Sequence, residues 1–411
     1  MSDRINSDLG VELKSNFLIG SKIGLCVGGG IAAIEAPKVA RELRRHGADV
    51  RCYVTKNALN FIGIQALEWA TNKTIVTEFT GLADHISTED AYLVFPATAD
   101  LMAKMAIGLA DDVVSTLIQS AFGLKKKIVI CPTMHNSLAD SPAFKKNKEY
   151  LQKWPLVSFI APRSEEGKQK SPSVENIALE FCHLINKKSD NKSENGVTVA
   201  LTYGGTKVAI DVARCISNYS TGALGRALIF ELYGHGFNIT AIEGHCSQPT
   251  EKMAHVNVIK AAHFSEMQTA LLALEPEKIC AIFQLAAISD YLPVSTHNGK
   301  ISGNLNALSI ELKSSPKLLQ MGNVQNIPYR MACKLTSESE VDGIATANNF
   351  LNANNLQCVL WNNSEVFHSL PEHHTAVLIE KSGKKCTSLK SKKQIAEAIF
   401  KSFSEYYLED K

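Results

Sequence analysis

Residues 22–55 have the sequence KIGLCVGGGIAAIEAPKVARELRRHGADVRCYVT, and this stretch decides the fold of the first half of the chain. The apolar run 22–27 predicts a short strand, and Gly28-Gly29-Gly30 predicts a tight turn directly after it. Apolar residues at helical spacing then continue to Gly47, which is typical of a helix end, and 48–55 predicts a second strand. A strand, a helix and a second strand in this order predict a parallel βαβ unit.

The same alternation of apolar strands and helices continues through the rest of the 411-residue chain. Further strands are predicted at 91–98, 127–134, 197–206, 237–244, 278–287 and 357–361. Helices are predicted at 99–121, 220–236 and 392–407, and a hairpin at 375–389. Continuous apolar strands separated by helices predict parallel sheets that are covered on both faces. We therefore expect an α/β protein with two doubly wound, Rossmann-like domains, the second built on a mainly parallel sheet.

A polar segment near the middle of the chain, NKKSDNKSENG at 186–196, separates the two predicted domains. Nothing in this segment favours burial, so it predicts a linker. We therefore expect a loosely held N-terminal tail over residues 1–20, a first domain over 21–185 and a second domain over 197–411.

Composition and charge exclude several classes of protein. Apolar residues make up 45% of the chain and charged residues 20%, which is typical of a folded globular protein. The net charge of +2 gives no basic field for nucleic acid or for an anionic membrane. The longest apolar region, 92–110, is interrupted by Asp100 and Lys104, and the N-terminus lacks the apolar core of a secretory signal. The ten cysteines include no CxxC pair, so we expect reduced thiols, no metal site and a cytoplasmic enzyme.

The glycine turn is the first candidate binding site. Residues 28–33 fit the pattern G-x-G-x-x-A between a strand and a helix, which places backbone N–H groups where a phosphate binds. A dinucleotide site also needs an acidic residue at the end of the second strand, and residues 53–56 contain none. A mononucleotide phosphate is therefore favoured over NAD, and a tight turn without a ligand is the alternative.

The strand end at 95–100, FPATAD, is the second candidate in the first half. Ligands of open α/β sheets bind at the carboxyl ends of the strands, so Thr98 and Asp100 either contact a ligand or cap the following helix. His85 precedes the same strand and is a candidate base, with a structural histidine as the alternative.

Two glycine turns in the second half, at 204–206 and 217–222, are rich in hydroxyl groups and N–H donors. Asp290 follows the predicted strand 278–287, and Lys300 lies in the polar loop after it. An acid and a lysine near glycine turns indicate a nucleotide with a divalent metal ion, and solvated surface charges are the alternative.

Together these motifs resemble one family along nearly the whole chain, the bacterial bifunctional phosphopantothenoylcysteine decarboxylase/phosphopantothenate–cysteine ligase of coenzyme A biosynthesis. The first half is similar to the flavodoxin-like, homo-oligomeric cysteine decarboxylases that contain FMN. The resemblance implies that His85 is the catalytic histidine, acting on a substrate thiol that FMN oxidises. It implies that FMN is bound by residues of the two strand ends and the second strand: Gly28, Gly29, Gly30, Ile31, Thr55, Thr98, Ala99 and Asp100.

The second half resembles the ligase through TYGGTKVAIDVARCISNYSTGALGRAL at 202–228, LAAISDY at 285–291 and GKIS at 299–302. The resemblance implies that 4′-phosphopantothenate attacks CTP in the presence of Mg²⁺ and that cysteine then takes the acyl group. Asn218 would position the activated acyl phosphate, and Lys300 would neutralise charge on the phosphates. By the same resemblance, the CTP-binding residues are Ala286, Asp290, Lys300 and Pro316.

The first half departs from the family pattern at two places. The P-x-M-N-x-x-M motif reads PTMHNSL at 132–138, so His135 stands where an asparagine holds the substrate carboxylate. A histidine also donates hydrogen bonds, so His135 remains a candidate site residue. The flap of the family carries a cysteine that protonates the product, and the corresponding stretch 159–173 contains no cysteine. We therefore expect a flavoprotein whose decarboxylation is impaired.

The second half departs at four positions. Lys317 stands where the family has an aspartate, and Cys333 stands where it has a phenylalanine. Phe350 and Asn354 replace lysines that would meet the triphosphate, so we expect weakened nucleotide binding. The alternative is a divergent FMN-binding paralogue that has a binding or regulatory role or acts on another acyl-cysteine. An NAD dehydrogenase is disfavoured because the ribose-binding acid is missing.

Overall fold

The structure is a computed structural model that describes residues 9–81, 83–165, 168–188, 196–364 and 376–409. The chain divides into two compact units: the first runs to Asn186 and includes Gly234–Gly236, and the second contains the rest of the chain from Lys187 onward. Residues 189–195 of the predicted linker and residues 1–8 of the predicted tail lie outside the described residues.

The first unit contains a five-stranded parallel sheet and a separate hairpin. Its strands are β1 Lys22–Val27, β2 Asp49–Val54, β3 Ala91–Ala97, β4 Lys127–Pro132, β5 Val157–Phe159, β6 Arg163–Glu165 and β7 Lys168–Lys170. Its α-helices are α1 Ala36–Arg45, α2 Ile64–Thr71, α3 Ala99–Ile107, α4 Val113–Gly123, α5 Asn136–Ala139, α6 Pro142–Gln152 and α7 Val174–Asn186. The strand order is β2-β1-β3-β4-β5, and β6 pairs with β7 as the hairpin. The reversal of order between β1 and β3 confirms the predicted doubly wound arrangement.

The single helix predicted over 99–121 is wrong, because α3 and α4 are separate helices. Gly108 ends α3 with a φ of +77°, which is in the left-handed region that favours glycine. Asp112 then caps α4. Its carboxylate accepts a hydrogen bond from the Ser115 N–H at 2.7 Å, and the Ser115 hydroxyl accepts one from the Asp112 N–H at 3.1 Å. Local capping therefore overrides an apolar spacing that continues across the break.

The segment that precedes β1 is packed, so the loosely held tail predicted over 1–20 is wrong for its last residues. Phe17 and Leu18 are buried. The Ser15 hydroxyl lies 2.7 Å from Nδ1 of His46, which follows α1. Apolar side chains and a buried hydrogen bond therefore fix this segment to the first unit.

The second unit contains an eight-stranded mixed sheet and two small hairpins. Its strands are β8 Thr198–Tyr203, β9 Lys207–Ala209, β10 Cys215–Ser217, β11 Asn238–Glu243, β12 Val256–Lys260, β13 Ile279–Gln284, β14 Tyr291–Pro293, β15 Leu312–Ser314, β16 Tyr329–Thr336, β17 Cys358–Asn363, β18 Ala376–Glu380 and β19 Lys385–Leu389. Its α-helices are α8 Ala223–Gly234, α9 Phe264–Leu272, α10 Gly322–Gln325, α11 Glu340–Ala353 and α12 Lys392–Glu409.

The large sheet has the order β12-β11-β8-β13-β16-β17-β18-β19. In this order, every pair of neighbours from β12 through β11, β8, β13 and β16 to β17 is parallel. The pairs β17–β18 and β18–β19 are antiparallel, so the sheet is mainly parallel as predicted. The antiparallel pairing of β18 with β19 confirms the predicted hairpin. The order reverses between β8 and β13, which places a ligand-binding edge at their carboxyl ends.

The buried side chains of each unit pack against its own sheet. All seven residues of β3 are buried, as expected for the central strand of a parallel sheet. In the second unit, β13 and β8 contribute buried residues to a cluster with α9. Among the residues that the structure describes, no helix is both long enough and apolar enough to cross a membrane.

Candidate functional site

The glycine turn and the FPATAD segment meet at the carboxyl ends of β1 and β3. The Gly28 N–H donates to the Pro96 carbonyl at 3.1 Å. A Cβ atom at Gly28 would lie 2.4 Å from that same carbonyl oxygen, and one at Gly30 would lie 3.3 Å from Cγ2 of Thr98. The two strand ends can approach this closely only because these positions carry no side chain.

The chemistry at this edge fits a flavin mononucleotide. Gly30 precedes a 3₁₀ helix, Ile31–Glu35, whose first N–H groups have no partner within the helix and can meet a phosphate. The Ile31 side chain is 70% exposed, so an apolar surface lies beside these donors. The Thr133 hydroxyl, just after β4, is buried and has no hydrogen-bond partner among the described residues. An unsatisfied buried hydroxyl at a strand end is typical of a site that a polar ligand completes.

The other predicted FMN-binding residues shape the edge through the backbone. The Thr55 hydroxyl donates to the Val27 carbonyl at 3.2 Å, which ties the end of β2 to β1. The Thr98 hydroxyl accepts a hydrogen bond from the Leu101 N–H at 3.2 Å and caps α3, whose first residue is Ala99. Thr98 therefore caps α3, and its contact with FMN stays a prediction. Asp100 is 70% exposed and lies 3.6 Å from the Lys104 ammonium.

His85 lies on an exposed loop between α2 and β3. Its neighbours are anchored. The Asp84 carboxylate accepts from the Thr80 N–H at 2.8 Å, and the Ser87 hydroxyl lies 2.6 Å from the Tyr92 hydroxyl. No hydrogen bond within the described ranges joins the His85 ring to the glycine turn. The structure thus presents an accessible imidazole on an anchored loop and does not bring it into contact with the other predicted residues.

His135 follows β4 and begins α5. Its Nδ1 accepts a hydrogen bond from the Ser137 N–H at 3.2 Å, so the ring caps the helix through this nitrogen. Nε2 has no partner in the part of the chain that the structure describes. Directly after His135 lies a cavity of about 260 Å³. It is lined by Asn136, Ala139, Asp140, Phe144, Lys145 and Lys148.

The predicted flap, 159–173, contains the hairpin of β6 and β7. Residues 166–167 lie outside the described residues. The two pairing strands have the sequences RSE and KQK, so neither supplies a thiol.

In the second unit, the glycine turn after β8 meets the strand end after β13. The Ala287 N–H donates to the Gly204 carbonyl at 2.8 Å, and the Thr206 N–H donates to the Ala287 carbonyl at 3.2 Å. Gly204 has a φ of +82°, and a Cβ atom there would lie 2.7 Å from Sγ of Cys246. This turn therefore requires glycine, and it places Ala286 at the reversal of strand order.

Four of the predicted ligase residues share this edge. The Asn218 amide donates to the Ile288 carbonyl at 3.0 Å, two residues before Asp290. The Ser315 N–H donates to the Asp290 carbonyl at 2.9 Å, which brings the adjacent Pro316 to the same place. Ala286, Asn218, Asp290 and Pro316 are therefore neighbours along one strand end.

Lys317 and Asp290 form an ion pair that the sequence analysis did not predict. Lys317 Nζ lies 2.5 Å from Asp290 Oδ1. Lys317 stands where the family has an aspartate. In the structure its ammonium neutralises the carboxylate of Asp290, which is a predicted nucleotide-binding residue.

The two residues that replace family lysines lie at the end of α11: Phe350 is in its last turn and Asn354 directly follows it. The Asn354 amide donates to the Phe350 carbonyl at 2.9 Å, and the Phe350 ring packs against the apolar cluster of β16 and β17. Lys334 on β16 lies 5.2 Å from the centre of that ring. A positive charge that sequence reasoning missed therefore lies next to Phe350.

Lys300 is exposed, and it has no hydrogen bond or ion pair with any residue described by the structure. The residue after it, Ile301, is held by Asp211 and Arg214, which sequence reasoning also missed. Hydrogen bonds from the Ile301 amide and from neighbouring backbone and guanidinium groups lower the pKa of Asp211 to about 2. The only local signal was an acid three residues before an arginine in the run IDVAR.

Two family models match the chain in sequence order. One described as "Flavoprotein" matches residues 14–186, and one described as "DNA/pantothenate metabolism flavoprotein C-terminal domain" matches residues 194–407. The "Coenzyme A biosynthesis bifunctional protein CoaBC" of Thermococcus kodakarensis is 34% identical over 397 residues, covering 94% of this chain and 96% of that protein. The protein of the same name from Methanocaldococcus jannaschii is 34% identical over 75% of this chain and 74% of its own length. That from Haemophilus influenzae is 28% identical over 95% of this chain and 98% of its own length.

These matches confirm the family that the motifs predicted. The similarity extends through both units, and each unit carries its glycine turn at a reversal of strand order. The chain belongs to the CoaBC family of bifunctional coenzyme A biosynthesis proteins.

Proposed function

We propose that this chain catalyses two consecutive steps of coenzyme A biosynthesis. The second unit joins 4′-phosphopantothenate to cysteine with consumption of CTP, and the first unit decarboxylates the resulting phosphopantothenoylcysteine with FMN. The observation that carries the proposal is that each sheet reverses its order beside a glycine turn, in a chain 34% identical to a bifunctional coenzyme A biosynthesis protein along 94% of its length.

In the second unit, Asn218 and Lys300 are the proposed catalytic residues. The carboxylate of 4′-phosphopantothenate attacks the α-phosphate of CTP, pyrophosphate leaves, and the cysteine amine then displaces CMP from the acyl group. The Asn218 amide is oriented by the Ile288 carbonyl at the strand end where the acyl phosphate would lie. The Lys300 ammonium would neutralise charge on the phosphates, with Mg²⁺ arriving bound to CTP.

In the first unit, the FMN phosphate is proposed to meet the N–H groups after Gly30, with the Thr133 hydroxyl as a further partner. When bound, FMN supplies the oxidant for the substrate thiol, which makes the loss of CO₂ possible. His85 is the proposed base, and Nε2 of His135 is the proposed partner of the substrate carboxylate. The flap supplies no cysteine, so the second stage, which protonates the product, is proposed to be slow.

The finer features of the proposal concern assembly and location. We propose a homo-oligomer that works on small molecules in the cytoplasm. The nine cysteines that the structure describes are all free thiols, which suits a reducing compartment.

The test is the release of pyrophosphate by the purified full-length chain. We expect release only when CTP, cysteine and 4′-phosphopantothenate are all present, and we expect Lys300→Gln and Asn218→Ala to lower its rate strongly. An absorbance spectrum of the same preparation should show bound FMN. No release at millimolar CTP would overturn the ligase assignment. Bound FMN together with no release would instead favour a paralogue with a binding or regulatory role, which the flap without a cysteine also favours.

A further inference from the structure

Asp211 is a buried carboxylate in the short connection between β9 and β10. Its side chain is inaccessible to solvent. It accepts hydrogen bonds from the N–H groups of Ala213 at 2.8 Å and Arg214 at 2.7 Å, and from Nη1 of Arg214 at 2.6 Å. A buried carboxylate is tolerated only when its oxygens are satisfied in this way.

The fourth partner of Asp211 lies 90 residues further along the chain. The Ile301 N–H donates to Oδ2 of Asp211 at 3.0 Å. Nη1 of Arg214 donates to the Ile301 carbonyl at 3.1 Å. The Asp211–Arg214 pair therefore binds both backbone groups of the residue that directly follows Lys300.

A backbone contact extends this attachment on the other side of Lys300. The His297 N–H donates to the Ile210 carbonyl at 3.0 Å. The loop 297–301 is thus fixed to the β9–β10 connection at both ends. The Lys300 side chain is exposed and makes no hydrogen bond or ion pair with any residue in the described ranges, so its position depends on the backbone that Asp211 and Arg214 hold.

We propose that Asp211, acting through Arg214 and the Ile301 backbone, is a positioning residue that sets where Lys300 meets the nucleotide phosphates. The proposal rests on the ligase function proposed above. Asparagine at position 211 would keep the size of the side chain, but it would remove the charge and turn an N–H₂ group toward the Ile301 N–H or the Arg214 guanidinium. The loop would then be released, and a misplaced catalytic group costs roughly 10²-fold in rate.

The first test measures the loop without using activity. Hydrogen–deuterium exchange of the Ile301 amide should be faster in Asp211→Asn than in the wild-type full-length chain. Asp342→Asn is the matched control, because Asp342 is an exposed carboxylate of the same unit that pairs with Ser339. Unchanged protection of Ile301 in Asp211→Asn would overturn the proposal.

The second test is a double-mutant cycle on pyrophosphate release. Asp211→Asn should lower kcat by roughly 10²-fold in the wild-type background and have little further effect in Lys300→Gln, because both changes disable the same group. If the two substitutions lowered kcat independently, so that their factors multiplied in the double variant, a general loss of structure would be indicated and the proposal would be overturned. A wild-type chain without any release would overturn the ligase function, and the exchange experiment would still decide whether Asp211 fixes the Lys300 loop.

Discussion

Lys317 Nζ lies 2.5 Å from Asp290 Oδ1, and both side chains are more than half exposed at the edge of the second sheet. A lone carboxylate here would repel the triphosphate of the proposed nucleotide, and the Lys317 ammonium neutralises that carboxylate. Exposed ion pairs contribute about 0–1 kcal/mol to stability. The pair should therefore matter for nucleotide binding and hardly at all for folding.

Lys317→Ala should raise the KM for CTP by about tenfold and leave the melting temperature nearly unchanged, since a charge-assisted phosphate contact is worth about 1.5–3 kcal/mol. Steady-state pyrophosphate release at varied CTP measures the KM. Lys384→Ala is the matched control, because its pair with Glu405 at 2.6 Å is similarly exposed. A KM that is unchanged or lowered by Lys317→Ala would contradict this role.

Asn354→Lys should lower the KM for CTP by about tenfold, because it restores a positive charge at the end of α11. The substitution removes only the hydrogen bond from the Asn354 amide to the Phe350 carbonyl. Asn352→Lys, an exposed change on the same helix, should have a smaller effect in the same assay. Equal effects of the two substitutions would indicate a general electrostatic attraction and not a contact at position 354.

Gly28→Ala should strip FMN from the protein, because the new Cβ atom would lie 2.4 Å from the Pro96 carbonyl oxygen and force the strand ends apart. Gly30→Ala is a milder change, with its Cβ 3.3 Å from Thr98, and should weaken FMN binding while the fold is kept. Gly123→Ala meets nothing within 4 Å and is the control. Flavin absorbance per protein measures occupancy, and equal occupancy in all three variants would refute the site.

His46 should make the first unit less stable as the pH falls. Burial lowers the pKa of His46 to about 4, although the Glu42 carboxylate 3.9 Å away opposes this shift. Between about pH 4 and about pH 6.5, a histidine of the unfolded chain, with a pKa near ~6.5, is protonated while His46 of the folded chain is not. Stability is therefore lost as the pH falls from about 6.5 to about 4, by up to about 3 kcal/mol. The free energy of unfolding, measured with denaturant at several pH values, should depend less on pH in His46→Gln than in the wild-type chain. Equal dependence on pH in the two proteins would contradict the role of His46.

Much of the fold follows from local patterns in the sequence. The strands and the glycine turns at Gly28 and Gly204 could be predicted from the sequence, because an apolar run or a glycine determines the local backbone conformation within a few residues. The break between α3 and α4 was missed, because the cap that Asp112 makes with Ser115 decides it while the apolar spacing continues across it.

The site was predicted less completely, because several of its contacts join distant parts of the chain. The Asp211–Ile301 hydrogen bond spans 90 residues, and the Lys317–Asp290 pair spans 27. No pattern of spacing reveals such contacts. The sequence allowed Thr98 to cap the following helix or to contact a ligand, and the structure shows the cap, whereas the contact with FMN stays a prediction.

The most direct test of the proposed function is mass spectrometry of the products made by the full-length chain from 4′-phosphopantothenate, cysteine and CTP. We expect phosphopantothenoylcysteine to form only when all three substrates are present. Its further conversion should stop at the unsaturated thiol left after CO₂ is lost, or should not occur. A missing general acid costs about 10²–10⁴-fold, so 4′-phosphopantetheine should form very slowly. Rapid and complete conversion to 4′-phosphopantetheine would show that another group protonates the product. Absence of any ligation product would contradict the proposed ligase function.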